Sequence, residues 1–442
     1  MRVFGKALPP SAATLLGTNI VLLGLCVPIF LTHHGWSTAS DSAGLAAALK
    51  VLIRLIAVGL FCQTVFYYHE LYNLQVARNV AEQLSRLLSA IGIAMLILAG
   101  VYAVAPALSP GRDALLGLAP ALIVVIVITR LITVPRRRTR VAIIGPELSR
   151  HAVQETIESC SEWNMELVQR YDVNDGPSPA MASHLDRVIV CADAGQTPHL
   201  IERLTDLKMR GVRVETSARF YEEATGRVQV DEIRPEWFVF SSGFENGRYK
   251  RLVKRCFDVF AASLLLIIAL PWMLLAVVII TIEGKGPILF RQDRVGLYGK
   301  TFRILKFRTM VPAPPDATPQ WAASNDKRIT AVGRLMRTFR IDELPQLLNV
   351  LRGDMSLVGP RPEQPYFCQL LADNIPFYHQ RHTIPPGLTG WAQVRYRYGA
   401  TIAESKRKLE FDLFYVKHLS IWLDLAILFE TVKVVLVGRG AK

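Results

Sequence analysis

The first third of the chain alternates long apolar stretches with short polar segments. Each stretch is close to the ~20 residues that a helix needs to cross the hydrocarbon core of a membrane. The stretches are Ser11–Thr32, Ala43–Tyr68, Leu87–Leu108 and Ala114–Val134. The pattern therefore predicts a membrane protein with a four-helix transmembrane bundle over residues 1–135.

The polar segments between the stretches predict how this bundle is oriented. Lys and Arg occur at the N-terminus, in the second loop and in the run that follows the fourth stretch, at Arg2, Lys6, Arg78, Arg86 and residues 136–140. The first loop, residues 33–44, contains neither Lys nor Arg. Because cytoplasmic loops carry the excess of these residues, both ends of the bundle are expected in the cytoplasm.

The pattern becomes that of a soluble domain after Arg140. Val141–Gly145 and Arg187–Cys191 are short continuous apolar runs, which are typical of buried parallel strands, and helical patterns surround them. They predict a small Rossmann-like α/β domain with a linker, over residues 136–245. A dinucleotide site would need three glycines after the first strand, whereas Gly145 stands alone. A structural or regulatory domain is therefore expected, with cofactor binding as the alternative.

A fifth apolar run, Val259–Ile282, has basic residues on both sides. A helix that crosses the membrane would leave one basic cluster outside, and Pro271 in the middle of the run removes a backbone donor and kinks a helix. The pattern predicts a re-entrant membrane hairpin, with its helix over residues 252–283 and its break at Pro271. A plain kinked spanning helix is the alternative.

Composition and charge narrow the classes of partner. The 442 residues are 51% hydrophobic, with a mean hydropathy of +0.27 and a formal net charge of +14. This charge suits lipid headgroups, phosphorylated substrates or nucleic acid. Since no recognition motif accompanies the basic residues, no nucleic-acid partner is expected. The six cysteines are scattered, without the spacing of a disulfide framework or a zinc site.

An acidic pair, Asp342-Glu343, stands where a helix is predicted to begin. Pro345 would lie in its first turn and Gly353 would end it. The positive end of a helix dipole favours both a carboxylate and a bound phosphate. From position alone, a capping Asp beside a solvated Glu is the simpler explanation.

Basic residues near this pair are suited to bind phosphate. Arg334, Arg337 and Arg340 recur every three residues and lead to the pair, although a solvated helix face has the same spacing. Arg361 lies between Pro360 and Pro362. A loop stiffened in this way holds a guanidinium in a fixed direction.

Several ordered motifs in the last 200 or so residues resemble one known family. They are Phe290–Gly296, Lys306–Met310, Asp342–Gln346, Ser356–Pro362, Pro386–Val394 and Trp422–Asp424. The set is similar to the monotopic polyprenyl-phosphate phosphoglycosyl transferases, which are bacterial sugar transferases, and the likeness covers nearly all of Arg251–Gly438. The whole chain resembles the long form of these enzymes, which initiates exopolysaccharide repeat units.

The resemblance implies a fold and a reaction. It implies a mainly α-helical catalytic domain, residues 246–442, at the cytoplasmic face of the bacterial inner membrane in a multi-pass protein. Asp342 would attack the phosphorus that carries the sugar of a UDP-sugar, form a covalent phosphosugar intermediate and release UMP. Undecaprenyl phosphate, the polyprenyl acceptor, would then take the sugar phosphate. Glu343 would assist metal binding or proton handling.

The same resemblance implies the remaining site residues and partners. The residues expected to bind substrate are Lys306, Arg308, Arg340, Arg361 and Gln393. Mg²⁺ is the expected cofactor and Asp342 its expected ligand, since Mg²⁺ commonly binds through one or two carboxylates and substrate phosphates. The partners are a UDP-sugar, undecaprenyl phosphate and the lipid bilayer; the identity of the sugar and a homodimer stay open.

Two alternatives remain. The C-terminal stretch Ser420–Val437 mixes apolar residues with charged ones and predicts an interfacial amphipathic helix, with a core helix as the alternative. The rival function is a non-enzymatic membrane scaffold, or a nucleotide sensor of polysaccharide machinery, against which the acidic pair and the Arg361 loop argue.

Overall fold

The computed structural model describes most of the chain beyond residue 138 and parts of the first third. The described residues are 2–3, 6–7, 50, 53–54, 56–62, 64–66, 80–108, 138–160, 164–172, 175–191, 198–233, 235–241, 243–244, 247–284, 286–311, 328–396 and 401–437. The helices predicted over Ser11–Thr32 and Ala114–Val134 lie outside them. The chain divides into two compact units, and apart from a few N-terminal residues the division falls between Thr216 and Ser217.

The first unit contains helix α1, Val80–Val104, which confirms the third predicted apolar helix. No proline interrupts it, and Pro106 begins the 3-10 turn that follows. Residues 56–62 and 64–66 are also helical, and two-residue strands occur at Arg2–Val3 and Lys6–Ala7. Among the described residues, two helices are long and apolar enough to cross a membrane: α1 over Leu87–Val104, and Arg248–Glu283 in the second unit.

The first unit also contains the predicted parallel sheet. Its elements are β1 Thr139–Ile144, α2 Glu147–Ser159, β2 Met165–Tyr171, β3 Arg187–Val190, α3 Pro198–Met209 and β4 Arg213–Thr216. The strands are all parallel, in the order β2-β1-β3-β4. All four residues of β3 are buried, as are the last four of β1. This burial explains why both strands are visible in the sequence as continuous apolar runs.

The second unit begins earlier than the boundary predicted at residue 246. Helices α4, Ser217–Thr225, and α5, Pro235–Phe240, were assigned to the α/β domain and its linker. Long-range contacts instead attach this segment to the second unit. Lys417 Nζ donates to Glu222 Oε2 at 2.7 Å, and Trp391 Nε1 donates to the Gly226 carbonyl at 2.8 Å.

The fifth apolar run forms α6, one continuous helix over Arg248–Glu283 with Pro271 inside it. The predicted break at Pro271 therefore does not interrupt the helical backbone, and the re-entrant course of this helix stays a prediction. A proline removes one backbone donor and bends a helix, but apolar runs of membrane proteins can continue through it. Gly284, in the left-handed conformation with φ 69°, ends the helix.

The rest of the second unit is mainly helical. Its elements are the antiparallel hairpin β5 Leu289–Val295 and β6 Thr301–Phe307, then α7 Ala331–Thr338, α8 Gln346–Arg352, β7 Ser356–Val358, α9 Pro365–Asn374, β8 Gly387–Thr389, α10 Trp391–Arg395, α11 Ile402–Lys417 and α12 Ile421–Val437. Strands β7 and β8 pair in parallel. The core of the unit includes Leu347, Val350, Val358, Leu413 and Leu423, each at most 1% exposed.

The C-terminal helix α12 has two different apolar faces. Leu423 and Ile427 are fully buried in the core, whereas Trp422 is 70% exposed. The core-helix alternative therefore describes one face of α12. The interfacial placement of the other face, which carries the exposed Trp422, stays a prediction.

Helix α6 contacts the body of the second unit near both of its ends. Near the start, the Arg255 guanidinium donates to the carbonyls of Val350 and Leu351 at 2.5 and 2.7 Å. Near the end, Arg308 Nη2 donates to the Ile280 carbonyl at 3.1 Å. Between these attachments most of the large apolar side chains are exposed, Ile267 to 71%, whereas the small residues Ala262 and Ala269 are buried.

Candidate active site

The elements that carry the acidic pair are fixed by close backbone packing. The Thr330 hydroxyl caps α7 by accepting the Gly333 N–H at 2.9 Å. A Cβ on Gly333 would lie 2.1 Å from the Thr309 carbonyl oxygen, so only glycine allows α7 to approach the end of β6 this closely.

The turn between α7 and α8 places the pair. Arg340 adopts the left-handed conformation, with φ 56° and ψ 21°. This conformation costs a residue with a Cβ roughly 1–2 kcal/mol. It reverses the chain after α7 and starts the 3-10 turn Ile341–Glu343, in which Asp342 and Glu343 are both buried. The pair thus precedes α8, which begins at Gln346. Pro345 lies just before α8 instead of in its first turn, while Gly353 ends α8 as predicted.

Glu343 lies among three cations. Its Oε1 is 2.9 Å from Lys306 Nζ and 3.3 Å from Arg361 Nη2. Its Oε2 is 3.5 Å from Arg340 Nη1. Burial alone would raise the pKa of Glu343, but these three positive charges outweigh it and hold that pKa well below the usual range for a glutamate. Glu343 is therefore ionised at any physiological pH.

Asp342 has the opposite electrostatic character. Burial raises its pKa to about 6, and the adjacent Glu343 charge acts in the same direction. Lys306, Arg337 and Arg340 oppose this rise without cancelling it. Its Oδ1 is buried and has no hydrogen-bond partner among the described residues. Asp342 therefore keeps an uncommitted carboxylate oxygen, which is what a nucleophile or a metal ligand needs.

The structure brings three of the residues predicted to bind substrate, Lys306, Arg340 and Arg361, together around Glu343, which adjoins Asp342. Arg308 makes different contacts, and its assignment to substrate binding stays a prediction. It is 4% exposed and donates to the backbone carbonyls of Pro287 and Ile280, each at 3.1 Å, so it joins the end of the hairpin to α6.

Gln393 lies on α10, beside Gly390. A Cβ on Gly390 would approach the Gly359 carbonyl oxygen to 2.1 Å, so this turn packs directly against the strand end that leads to Arg361. Gln393 Nε2 is buried without a hydrogen-bond partner among the described residues. Its assignment to substrate binding stays a prediction.

Sequence reasoning missed Gln346. This residue is 3% exposed, and its Nε2 has no hydrogen-bond partner in the described part of the chain. It stands four residues after Asp342, a spacing that places two side chains on one face of a helical segment. That spacing was the available signal.

A magnesium ion fits this site through a single carboxylate. The described residues contain no group of three or more His, Cys, Asp or Glu that could hold a metal. Mg²⁺ usually keeps several waters and needs only one or two carboxylates plus substrate phosphates. The free Oδ1 of Asp342 meets that need, whereas the oxygens of Glu343 already face Lys306, Arg340 and Arg361.

Comparison with known proteins gives the class of this chain. The bacterial sugar transferase family matches residues 249–438, which include every residue of the site just described. The UDP-glucose:undecaprenyl-phosphate glucose-1-phosphate transferase of Caulobacter vibrioides is 46% identical to this chain, which covers 72% of its length. The chain belongs to the bacterial sugar transferase family.

Three relatives show which members of the family are similar. The UDP-N-acetylgalactosamine-undecaprenyl-phosphate N-acetylgalactosaminephosphotransferase of Aeromonas hydrophila is 42% identical over 50% of this chain and 52% of its own. The undecaprenyl-phosphate glucose phosphotransferase of Komagataeibacter xylinus is 34% identical over 70% of this chain and 61% of its own. The UDP-glucose:undecaprenyl-phosphate glucose-1-phosphate transferase of Caulobacter vibrioides is 46% identical over 43% of this chain and 72% of its own. The chain thus spans 52% and 61% of the first two relatives.

Proposed function

We propose that this protein transfers a sugar 1-phosphate from a UDP-sugar to undecaprenyl phosphate. An Asp342 carboxylate oxygen attacks the phosphorus that carries the sugar, and the bond from that phosphorus to the bridging oxygen breaks, so UMP leaves. An oxygen of undecaprenyl phosphate then attacks the same phosphorus and releases the Asp342 carboxylate. The product is undecaprenyl-diphosphate-sugar, the first intermediate of an exopolysaccharide repeat unit.

The observation that carries this proposal is the division of labour within the acidic pair. Asp342 has a free buried oxygen, while Glu343 holds Lys306, Arg340 and Arg361 beside it. A phosphoryl group placed against Asp342 would meet these preorganised cations, which favour the charge that develops on its oxygens. Asp342 would hold Mg²⁺, which would supply further positive charge to the substrate phosphates.

The placement of α6 supports a reaction at a membrane surface. A straight helix from Arg255 to Ile280 would be about 37 Å long, yet both residues bond to the body that carries the site. Exposed apolar residues occupy the middle of the helix. These observations favour a re-entrant helix bent at Pro271, with both ends and the site on the cytoplasmic side of the inner membrane.

The test is a release assay on the full-length protein in lipid. UMP should appear with multiple turnovers only when a UDP-sugar, Mg²⁺ and undecaprenyl phosphate are all present. A panel of UDP-glucose, UDP-galactose and UDP-N-acetylgalactosamine identifies the sugar. Failure to release UMP from any UDP-sugar, with nucleotide binding retained, would instead support a nucleotide sensor.

A further inference from the structure

Three consecutive backbone carbonyls of the loop that carries Arg361 accept hydrogen bonds from other parts of the unit. The Pro360 carbonyl accepts the Gly387 N–H at 2.9 Å, which continues the pairing of β7 and β8. The Arg361 carbonyl accepts Arg381 Nη2 at 2.9 Å, and the Pro362 carbonyl accepts Arg294 Nη1 at 3.1 Å. Two of the three donors are therefore side chains from other parts of the sequence.

Arg381 is itself rigidly held. It is 5% exposed, its Nη1 donates to the Tyr378 hydroxyl at 2.7 Å, and its Nη2 lies 2.8 Å from Asp412 Oδ2 on α11. The fork of a guanidinium allows one side chain to bond to a carboxylate, a hydroxyl and a carbonyl in fixed directions. Arg381 therefore connects α11 to the main chain of Arg361.

Arg294 donates to the next carbonyl of the loop, that of Pro362. It lies on β5, where its Nη2 donates to Gln292 Oε1 at 2.7 Å and its Nη1 lies 3.7 Å from Glu363 Oε2. Both side chains donate to the main chain of the loop that carries Arg361. Their acceptors are the carbonyl oxygens of Arg361 and Pro362, which belong to the two peptide bonds that flank Pro362.

We propose that Arg381 and Arg294 are positioning residues, which clamp the backbone at Arg361 and Pro362 so that the Arg361 guanidinium points at Glu343 and at the phosphate bound beside it. This rests on the proposed function. A hydrogen bond to a main-chain carbonyl fixes the peptide plane, and the flanking prolines already restrict φ at positions 360 and 362. The clamp removes the remaining freedom, so the guanidinium is ordered before substrate arrives.

The test is a double-mutant cycle in the full-length protein. Arg381→Lys keeps the charge but cannot reach Tyr378, Asp412 and the Arg361 carbonyl together. We expect it to lower UMP turnover about tenfold or more, as loss of a charge-assisted hydrogen bond does. In the Arg361→Ala background, where no guanidinium remains to be positioned, the same change should alter the residual turnover less than about twofold.

Arg294→Lys gives a second, independent cycle in case Arg381→Lys lowers the yield of folded protein. Arg227→Lys is the matched control, because Arg227 also pairs with a buried carboxylate of α11, Glu410, but does not touch the loop. The control should leave turnover within about twofold of wild type, and thermal unfolding of all variants separates stability from positioning.

Equal fold losses in the wild-type and Arg361→Ala backgrounds, with wild type active, would overturn the clamp while leaving the proposed function intact. An inactive wild type would count against the proposed function. The clamp would then be tested by measuring UDP-sugar affinity, which Arg381→Lys should weaken only while Arg361 is present. Equal weakening in both backgrounds would overturn it.

Discussion

At the scale of single residues, two adjacent carboxyl groups have been given different chemistry by their neighbours. Glu343 faces three cations, whereas Asp342 is buried beside a fixed negative charge and keeps one oxygen free. Of the two carboxyl groups, Asp342 is therefore the one with an oxygen available to bind substrate.

We predict that Asp342→Asn abolishes formation of a covalent phosphosugar adduct. The amide keeps the shape of the side chain but lacks the attacking charge, so turnover should fall by orders of magnitude while folding persists. Intact-protein mass spectrometry after incubation with the cognate UDP-sugar and Mg²⁺, without lipid acceptor, should show one sugar phosphate on wild type and none on Asp342→Asn. Glu343→Gln should impair turnover as well. An adduct that survives in Asp342→Asn would move the nucleophile elsewhere.

A second prediction concerns protonation of the pair without metal. A carbodiimide that reacts with protonated buried carboxyl groups should modify Asp342 below pH ~6 and progressively less above it, since burial raises the pKa of Asp342 to about 6. Glu343, whose pKa is lowered, should stay unmodified over this range. In Glu343→Gln the midpoint at Asp342 should move to lower pH, because a neighbouring negative charge is lost. Peptide mass spectrometry locates the label, and preferential labelling of Glu343 would reverse the assignment.

At the scale of elements, α6 determines how the site meets the membrane. Single cysteines that replace Arg251 and Glu283, in a background without the native cysteines, should both react with a membrane-impermeant thiol reagent from the cytoplasmic side only. The reason is that both ends of α6 are attached to one body. Cysteines in loops on known sides serve as controls, and labelling of the two positions from opposite sides would establish a spanning helix.

How much of these elements the sequence predicts depends on the range of the contacts that form them. Strands β1 and β3 and the end of α8 at Gly353 are visible locally, because burial on both faces and a left-handed cap leave direct signals. The attachment of α4 depends on Glu222 and Lys417, which are 195 residues apart in the sequence. No local pattern carries that pairing.

The same limit applies within the site. A motif places Arg308 among phosphate-binding cations, yet its guanidinium bonds to backbone carbonyls. Spacing identifies a cationic segment but does not give the direction of each side chain. For the same reason, the sequence does not show that Arg381 bonds to the Arg361 carbonyl, because this contact depends on the packing of β7, β8 and α11.

At the scale of the whole molecule, the compact unit that contains the candidate site begins at Ser217, apart from a few N-terminal residues. A chain that starts there should fold and keep its turnover within a few fold in lipid, since all site residues lie within this unit. A chain that starts at residue 246 should be unstable, because it loses the buried Val228 and Val230, worth ~1.5–3 kcal/mol each, and leaves the buried Lys417 without Glu222. Thermal unfolding and UMP release compare the two chains; equal stability would show that α4 and α5 are dispensable.

The three cations around Glu343 are already paired with its carboxylate, so an anionic substrate must compete with this internal anion for them. A diphosphate that binds to Lys306 and Arg361 would displace the Glu343 carboxylate from them. Once stripped of its counter-charges, a buried glutamate binds a proton more readily, because burial then dominates its pKa. We therefore expect loading of the donor to draw a proton from solution, and inorganic pyrophosphate to compete for the site with a strength that grows as the pH falls.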